Sequence, residues 1–183
     1  MELSDGLRRA LDRYLSAEYV DDIELELDIL YEFGIFDPDG MRRSATLCIN
    51  ATRKILFGWS ELGCEGNRPS QSVDAAAHWV RTGEKIHQWP ICCLPAPAIR
   101  CGEVIGDCDI NRVGPIAAAA ARTVYYIETN NIVDAALVLC DVEGAIDEGV
   151  KYPNAMPFRQ WIADIAVPAS LECRLLTEDE LSK

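Results

Sequence analysis

The sequence predicts a mostly α-helical protein, in which residues 1–183 form a single-domain helical bundle of about six or seven helices. The composition is that of a folded globular chain, with 49% hydrophobic and 26% charged residues. The 183 residues are enough to bury about two-thirds of the unfolded surface without a disulfide or a metal. Apolar side chains recur every three or four positions in several segments, which is the period of amphipathic helices.

The first helix is predicted at residues 3–15. Its apolar side chains are spaced by three and four residues and leave Arg8, Asp12 and Arg13 on the opposite face. The apolar set consists of Leu3, Leu7, Leu11, Tyr14 and Leu15.

Residues 21–33 fit two different periods. Apolar and acidic residues alternate along the segment as in a half-buried strand, whereas Ile23 and Leu27 also belong to a helical stripe. We favour a helix, because Asp21 and Asp22 suit a helix N-terminus and because Glu and Leu are good helix formers. A short β element at 21–33 is the alternative.

Five further segments are predicted to be helical. A turn at residues 37–40 precedes the first of them, Ser70 or Ser72 could cap the second, and Gly83 ends it. An irregular connection rich in Pro and Gly, residues 89–110, follows the second helix. The five segments are residues 41–62, 72–83, 111–129, 132–149 and 157–166, with one more turn at 178–181. In the 41–62 helix the predicted inward residues are Ala45, Cys48, Ile49, Thr52, Ile55, Leu56 and Trp59.

The charge is strongly negative and unevenly distributed. The formal net charge is −13, and residues 1–39 carry twelve acids against three bases. Residues 141–183 carry nine acids against four bases, while the region between them is nearly balanced. Such a surface repels phosphate backbones and anionic lipid headgroups. We therefore expect neither a nucleic-acid nor a membrane partner.

The expected compartment is the cytoplasm. The first 40 residues lack the pattern of a secretory signal, and no apolar run approaches the roughly 18 residues of a membrane-spanning helix. The eight cysteines are then expected to be reduced thiols rather than a disulfide framework.

The acidic N-terminal region is the candidate partner-binding surface. Aromatic residues lie among its acids, and opposite charges accelerate encounter while aromatic side chains supply affinity. The alternative is a solvated acidic face that only aids solubility. The predicted contact residues are Tyr19, Asp21, Asp22, Glu24, Glu26, Asp28 and Tyr31.

Two groups of residues could bind a metal, although we expect no metal and no cofactor. Four thiols near His87 could hold zinc, but their spacing lacks paired Cys-x-x-Cys motifs. Asp107 and Asp109 resemble the Asp-x-Asp-Thr segment of ADP-ribosylglycohydrolases, helical enzymes with a magnesium pair, but Ile110 stands in place of the Thr. Helix capping explains these acids more simply. The four thiols are Cys92, Cys93, Cys101 and Cys108.

The sequence offers little material for catalysis. Nucleophilic catalysis needs a base beside the nucleophile, and the chain has two histidines, His78 and His87. We expect His78, between Ala77 and Trp79, to be partly buried and structural. No phosphate-binding glycine loop and no Gly-x-Ser-x-Gly motif occurs. The sequence therefore predicts a protein that is not an enzyme.

Two stretches, residues 41–83 and 117–145, carry a family pattern. A helix that ends at Trp59 is followed by a polar loop and a second short helix, and an alanine-rich helix pair comes later. The residues that carry it are Trp59, Arg68, Pro69, Val73, Ala75, Ala76, Trp79, Gly83, Arg122, Ala135 and Ala136. Together they resemble the helical immunity proteins of bacterial polymorphic-toxin systems.

This resemblance implies a cytoplasmic immunity protein that binds a cognate toxin domain and neutralises it. The charge favours the same function, because a toxin that acts on nucleic acid or nucleotides has a basic cleft that an acidic partner can occlude. A small ADP-ribosyl hydrolase and a zinc-stapled regulatory module are the alternative functions.

Overall fold

The computed structural model describes residues 3–17, 23–64, 66–84 and 110–183. These residues form eight helices and no strand, which confirms the predicted mostly α-helical class. The helices are α1 (Asp5–Ser16), α2 (Glu24–Glu32), α3 (Pro38–Glu61), α4 (Arg68–Thr82), α5 (Ile110–Thr129), α6 (Ile132–Asp147), α7 (the unbroken run Phe158–Trp161, Ile162–Ala166 and Val167–Leu171) and α8 (Glu178–Ser182).

Helix α3 is the central helix of the bundle. It contacts α4, α5, α6, α7 and α8, so side chains on nearly every face of its middle turns are buried. The predicted inward residues of this helix are confirmed as buried, except Leu56, which is partly buried.

Helix α3 begins earlier than predicted, because the expected turn at residues 37–40 is its first turn. The Asp37 side chain accepts a hydrogen bond from the Gly40 N–H at 2.7 Å, and Pro38 occupies the first helical position. Proline is tolerated there, because the N–H that it lacks would have no helical partner.

Helix α4 also starts earlier than predicted. It begins at Arg68 with Pro69 in its first turn, so neither Ser70 nor Ser72 is the cap. The Ser72 hydroxyl instead donates to the Arg68 carbonyl at 3.0 Å. The end of the helix is confirmed, since Gly83 adopts a left-handed conformation with φ of 73°.

Helices α5 and α6 form a tightly packed pair joined by a two-residue connection. The small side chains of Ala119 and Ala120 are buried, which allows neighbouring helices to approach α5 closely. The Thr123 hydroxyl of α5 lies 3.1 Å from the Thr52 hydroxyl of α3, so buried polar groups also join these helices.

The N-terminal helices α1 and α2 pack against each other, and α2 packs on α6. The helix favoured for residues 21–33 is confirmed at Glu24–Glu32, so the strand alternative is wrong. The Ser4 hydroxyl donates to Glu32 at one end of the pair, and Arg13 pairs with Asp28 toward the other. The two helices therefore run antiparallel.

The C-terminal segment packs on α3. Helix α7 continues to Leu171, beyond the predicted end at residue 166, through a π-helical stretch at Ile162–Ala166. Asn50 holds the following segment by accepting from the Leu176 N–H and donating to the Arg174 carbonyl. The predicted last turn is confirmed as α8, which begins with a capping box between Thr177 and Glu180.

Candidate partner-binding surface

The structure places three of the seven predicted contact residues on the surface of α2. Glu24 is exposed, the Asp28 side chain is 35% exposed and Tyr31 is 50% exposed. Asp28 forms an ion pair with Arg13 of α1, so part of its charge is compensated within the pair. Glu26, the other described residue, is buried. Tyr19, Asp21 and Asp22 lie outside the described residues.

Glu26 is not on the surface, which corrects its assignment as a contact residue. It is completely buried, on the face of α2 that also carries Ile29 and Leu30. A helix places residues three and four positions apart on one side, so Glu26 shares the inward side of these apolar neighbours. Burial raises the pKa of Tyr14, and the nearby charges of Glu143 and Glu26 raise it further. Glu26 therefore belongs to the interface of α2 with its neighbours.

The exposed charge of the N-terminal pair is mostly negative. We define the acidic hairpin surface as the exposed residues of α1, of α2 and of residues 33–40, which follow α2 and include the first turn of α3. Three exposed bases, Arg8, Arg9 and Arg13, lie among its acids, and the first and third of them pair with Asp5 and Asp28. Its exposed acids are Asp5, Asp12, Glu24, Glu32, Asp37 and Asp39.

Two acids at the C-terminal end of the chain take part in the packing of that segment. Arg53 Nη2 lies 3.0 Å from Glu178, and Arg174 Nη1 lies 2.9 Å from Glu180. The hydrogen bond from Arg174 lowers the pKa of Glu180 to about 2. These acids hold the C-terminal segment together, so the acidic hairpin surface is the better candidate for a partner.

A tight turn links α2 to α3 and carries the most exposed aromatic side chain of the described residues. We call residues 33–40 the α2–α3 corner. Phe33 is buried, whereas Phe36 is 92% exposed. Gly34 has φ of 80°, which favours glycine, and a Cβ on Gly40 would lie 1.8 Å from the Gly34 carbonyl oxygen. The backbone of this corner is therefore closely fitted.

Phe36 is not among the contact residues predicted from the sequence, and the sequence does not by itself separate it from the buried Phe33. The signal that could have separated them is the Asp37–Pro38 pair, which is typical of a helix start. Phe36 then stands just before a cap, at the end of a turn, while Phe33 continues the inward face of α2. If the start of α3 is not recognised, the sequence gives no reason to place Phe33 and Phe36 differently.

The candidate metal ligands are not tested by the structure. Asp107, Asp109 and the four thiols Cys92, Cys93, Cys101 and Cys108 lie outside the described residues, as does His87. Elsewhere, in the ranges that the structure describes, no group of three His, Cys, Asp or Glu side chains could hold a metal ion.

The described titratable groups with shifted pKa values are mainly buried residues that join helices. Arg122 Nε of α5 lies 2.9 Å from Asp141 of α6, and burial nonetheless raises the pKa of Asp141 to about 6. Burial raises the pKa of Cys140 to about 12, so its thiol is not activated. The prediction of a partly buried His78 is wrong, because its side chain is exposed and lies 3.6 Å from Glu84.

None of the helices in the described ranges combines the length and the apolar character needed to cross a lipid bilayer. Comparisons of this chain with known protein families, with curated proteins and with solved structures found no match. What the protein does must therefore be inferred from its own residues.

Proposed function

We propose that this chain is a cytoplasmic immunity protein, which binds a cognate toxin domain and neutralises it by covering the active site. The observation that carries the proposal is the acidic hairpin surface, which carries six exposed carboxylates and the exposed Tyr31. Charge of one sign concentrated on one surface, with aromatic side chains beside it, suits a protein partner of opposite charge.

The negative potential of this surface selects the class of partner. A toxin that cuts nucleic acid or consumes nucleotides needs a basic cleft to hold phosphate groups. The same cleft attracts the acidic hairpin surface, and electrostatic attraction can raise the association rate well above about 10⁶ M⁻¹s⁻¹. Fast association suits an inhibitor that must reach the toxin before its target does.

The contact residues of the proposal are those that a partner can reach. Glu24, Asp28 and Tyr31 remain, and Tyr19, Asp21 and Asp22 stay predictions. Glu26 is left out because it is buried. The mechanism needs no chemical step in this chain, since neutralisation follows from occupancy of the cleft.

A stoichiometry experiment separates this function from that of an enzyme. The protein encoded by the adjacent reading frame is expressed alone and together with this chain. We expect growth arrest in the first case and rescue in the second, with a one-to-one complex on purification. The purified toxin should keep activity in proportion to the fraction that is unbound.

Rescue by much less than one equivalent of this chain would contradict the proposal, because only an enzyme acts at such ratios. If the protein from the adjacent reading frame is not toxic and does not bind this chain, it is not the partner. Affinity capture from the organism that encodes the chain, followed by the same titration, would then test the proposal, and failure there would overturn it.

A further inference from the structure

We propose that Phe36 is the apolar anchor of the complex, and that it inserts into an apolar pocket with a basic rim on the partner protein. This inference rests on the proposed function and deepens it. It names the residue that supplies affinity and the chemistry of the surface that receives it, neither of which follows from acidic charge alone.

Phe36 is much more exposed than any other large apolar residue that the structure describes. Its side chain is 92% exposed, whereas Tyr31 is 50% exposed and Tyr125, on α5, is 37% exposed. Aromatic residues that become buried at the centre of an interface carry most of its binding energy. Phe36 has nearly all of its surface available for such burial.

The local sequence offers Phe36 a partner that it does not use. Phe36 precedes the cap Asp37, and Met41 lies in the first turn of α3, at the spacing of a hydrophobic staple. Met41 is partly buried against the core, yet Phe36 remains almost entirely exposed. The common way to cover an aromatic residue at this position is therefore absent.

The backbone that carries Phe36 is held by several independent contacts. The Asp37 carboxylate accepts from the Gly40 N–H at 2.7 Å, and Arg43 Nη1 donates to the Phe33 carbonyl at 3.4 Å. The close approach of Gly40 to Gly34 leaves no room for a side chain. A turn that is fixed before binding loses little conformational entropy in the complex.

Charge around Phe36 indicates what borders the receiving pocket. Asp37 and Asp39 follow it directly, Glu32 ends α2 nearby, and all three are exposed. Arg43, in the second turn of α3, is directed to the Phe33 carbonyl. An apolar side chain with exposed carboxylates before and after it in the chain fits an apolar pocket lined at its edge by Lys or Arg.

Photo-crosslinking tests the position of the anchor. Phe36 is replaced by the photoreactive analogue p-benzoylphenylalanine in the full chain, which is expressed in the organism that encodes it. The same analogue at Tyr125 is the matched control. We expect one adduct that forms at position 36 and not at position 125, with a basic protein, through a peptide that contains both apolar and Lys or Arg residues.

Three outcomes would overturn the inference: no adduct at position 36, equal adducts at both positions, or an adduct between two copies of this chain. The last would show that Phe36 mediates self-association.

Affinity measurements with the partner identified by crosslinking test the anchor independently of the proposed function. Phe36→Ala should weaken binding tenfold to hundredfold, mostly through faster dissociation, and leave the melting temperature unchanged because the side chain is exposed. Tyr125→Ala should leave affinity unchanged.

If Phe36→Ala binds normally while the toxin is still neutralised one-to-one, the anchor is wrong and the proposed function stands. If binding depends on Phe36 but the bound protein is not inhibited, the anchor stands and the proposed function fails.

Discussion

Lys54 is a buried cation at the centre of the molecule. Its ammonium group donates to the Leu181 carbonyl at 2.8 Å and lies 4.4 Å from the centre of the Trp161 ring. These contacts fix α8 and α7 on α3. Burial disfavours the charged form and lowers the pKa of Lys54 to about 8.

This shifted pKa predicts a pH dependence of stability. Between pH 8 and pH 10.5 the unfolded chain keeps the Lys54 proton and the folded chain has lost it, so the free energy of unfolding rises with pH. Over this pH range the free energy of unfolding of the wild type should rise by up to about 3 kcal/mol relative to that of Lys54→Met. Urea denaturation of both proteins at several pH values measures the difference. A constant difference would show that folding does not lower the pKa of Lys54.

Single residues of the candidate site were only partly predictable from the sequence. The acidic character of residues 1–39 is visible in the composition, but burial depends on which side of a helix faces the core. Glu26 lies on the apolar side and Glu24 on the solvent side, although the sequence pattern around them is the same. Only the packing of α2 on its neighbours separates them.

At the scale of elements, Arg159 fixes the N-terminal pair to the bundle. It comes from α7, and its Nη1 donates to the Ala17 carbonyl at 2.7 Å, beyond the end of α1. Its Nε donates to Glu143 at 3.0 Å, and its guanidinium lies over the Tyr14 ring. The last carbonyls of a helix lack partners within it, so Arg159 satisfies one and ties α1 to α6 and α7.

We predict that Arg159→Met loosens α1 without unfolding the bundle. The amide protons of α1 should exchange tenfold to hundredfold faster with solvent, because a partly buried hydrogen bond from a charged guanidinium is worth about 1.5–3 kcal/mol. The amide protons of α3 should be nearly unaffected. Arg174→Met, which changes a more exposed arginine, is the control. Equal exchange rates in α1 for both variants would contradict this role.

The sequence predicted which segments are helical better than it predicted the residues at which the helices begin and end. Five segments with helical spacing are helices, as expected, because their apolar stripes must be buried. Their starts moved where proline follows a cap, at Pro38 and Pro69, since Asp-Pro and Arg-Pro also occur in turns. The helix predicted at residues 157–166 continues past Pro168, because this proline lies in the first turn after a π-helical stretch, where its missing N–H is tolerated.

On the scale of the whole molecule, α3 and its neighbours form the core and the acidic hairpin surface lies at one side. One cluster of buried apolar residues includes side chains from all eight described helices. Composition and periodicity predicted this class of fold, because both act along the entire chain. The arrangement of the helices was not predictable, since it depends on contacts between residues far apart in the sequence.

The acidic hairpin surface is tested most directly by charge reversal with a control of equal net charge. One variant combines Asp12→Lys, Glu24→Lys and Glu32→Lys on this surface. The control combines Asp74→Lys, Asp147→Lys and Glu148→Lys, which are exposed acids of α4 and the end of α6. Both variants change the net charge by the same amount, so only the position of the charge differs.

The measurement is the association rate constant with the toxin at low salt. We expect the hairpin variant to associate about 10–100-fold more slowly than the wild type, the control to change much less, and the difference to shrink as salt screens the charges. Equal rates for the two triple variants would contradict the account, because binding would then depend on overall charge and not on this surface.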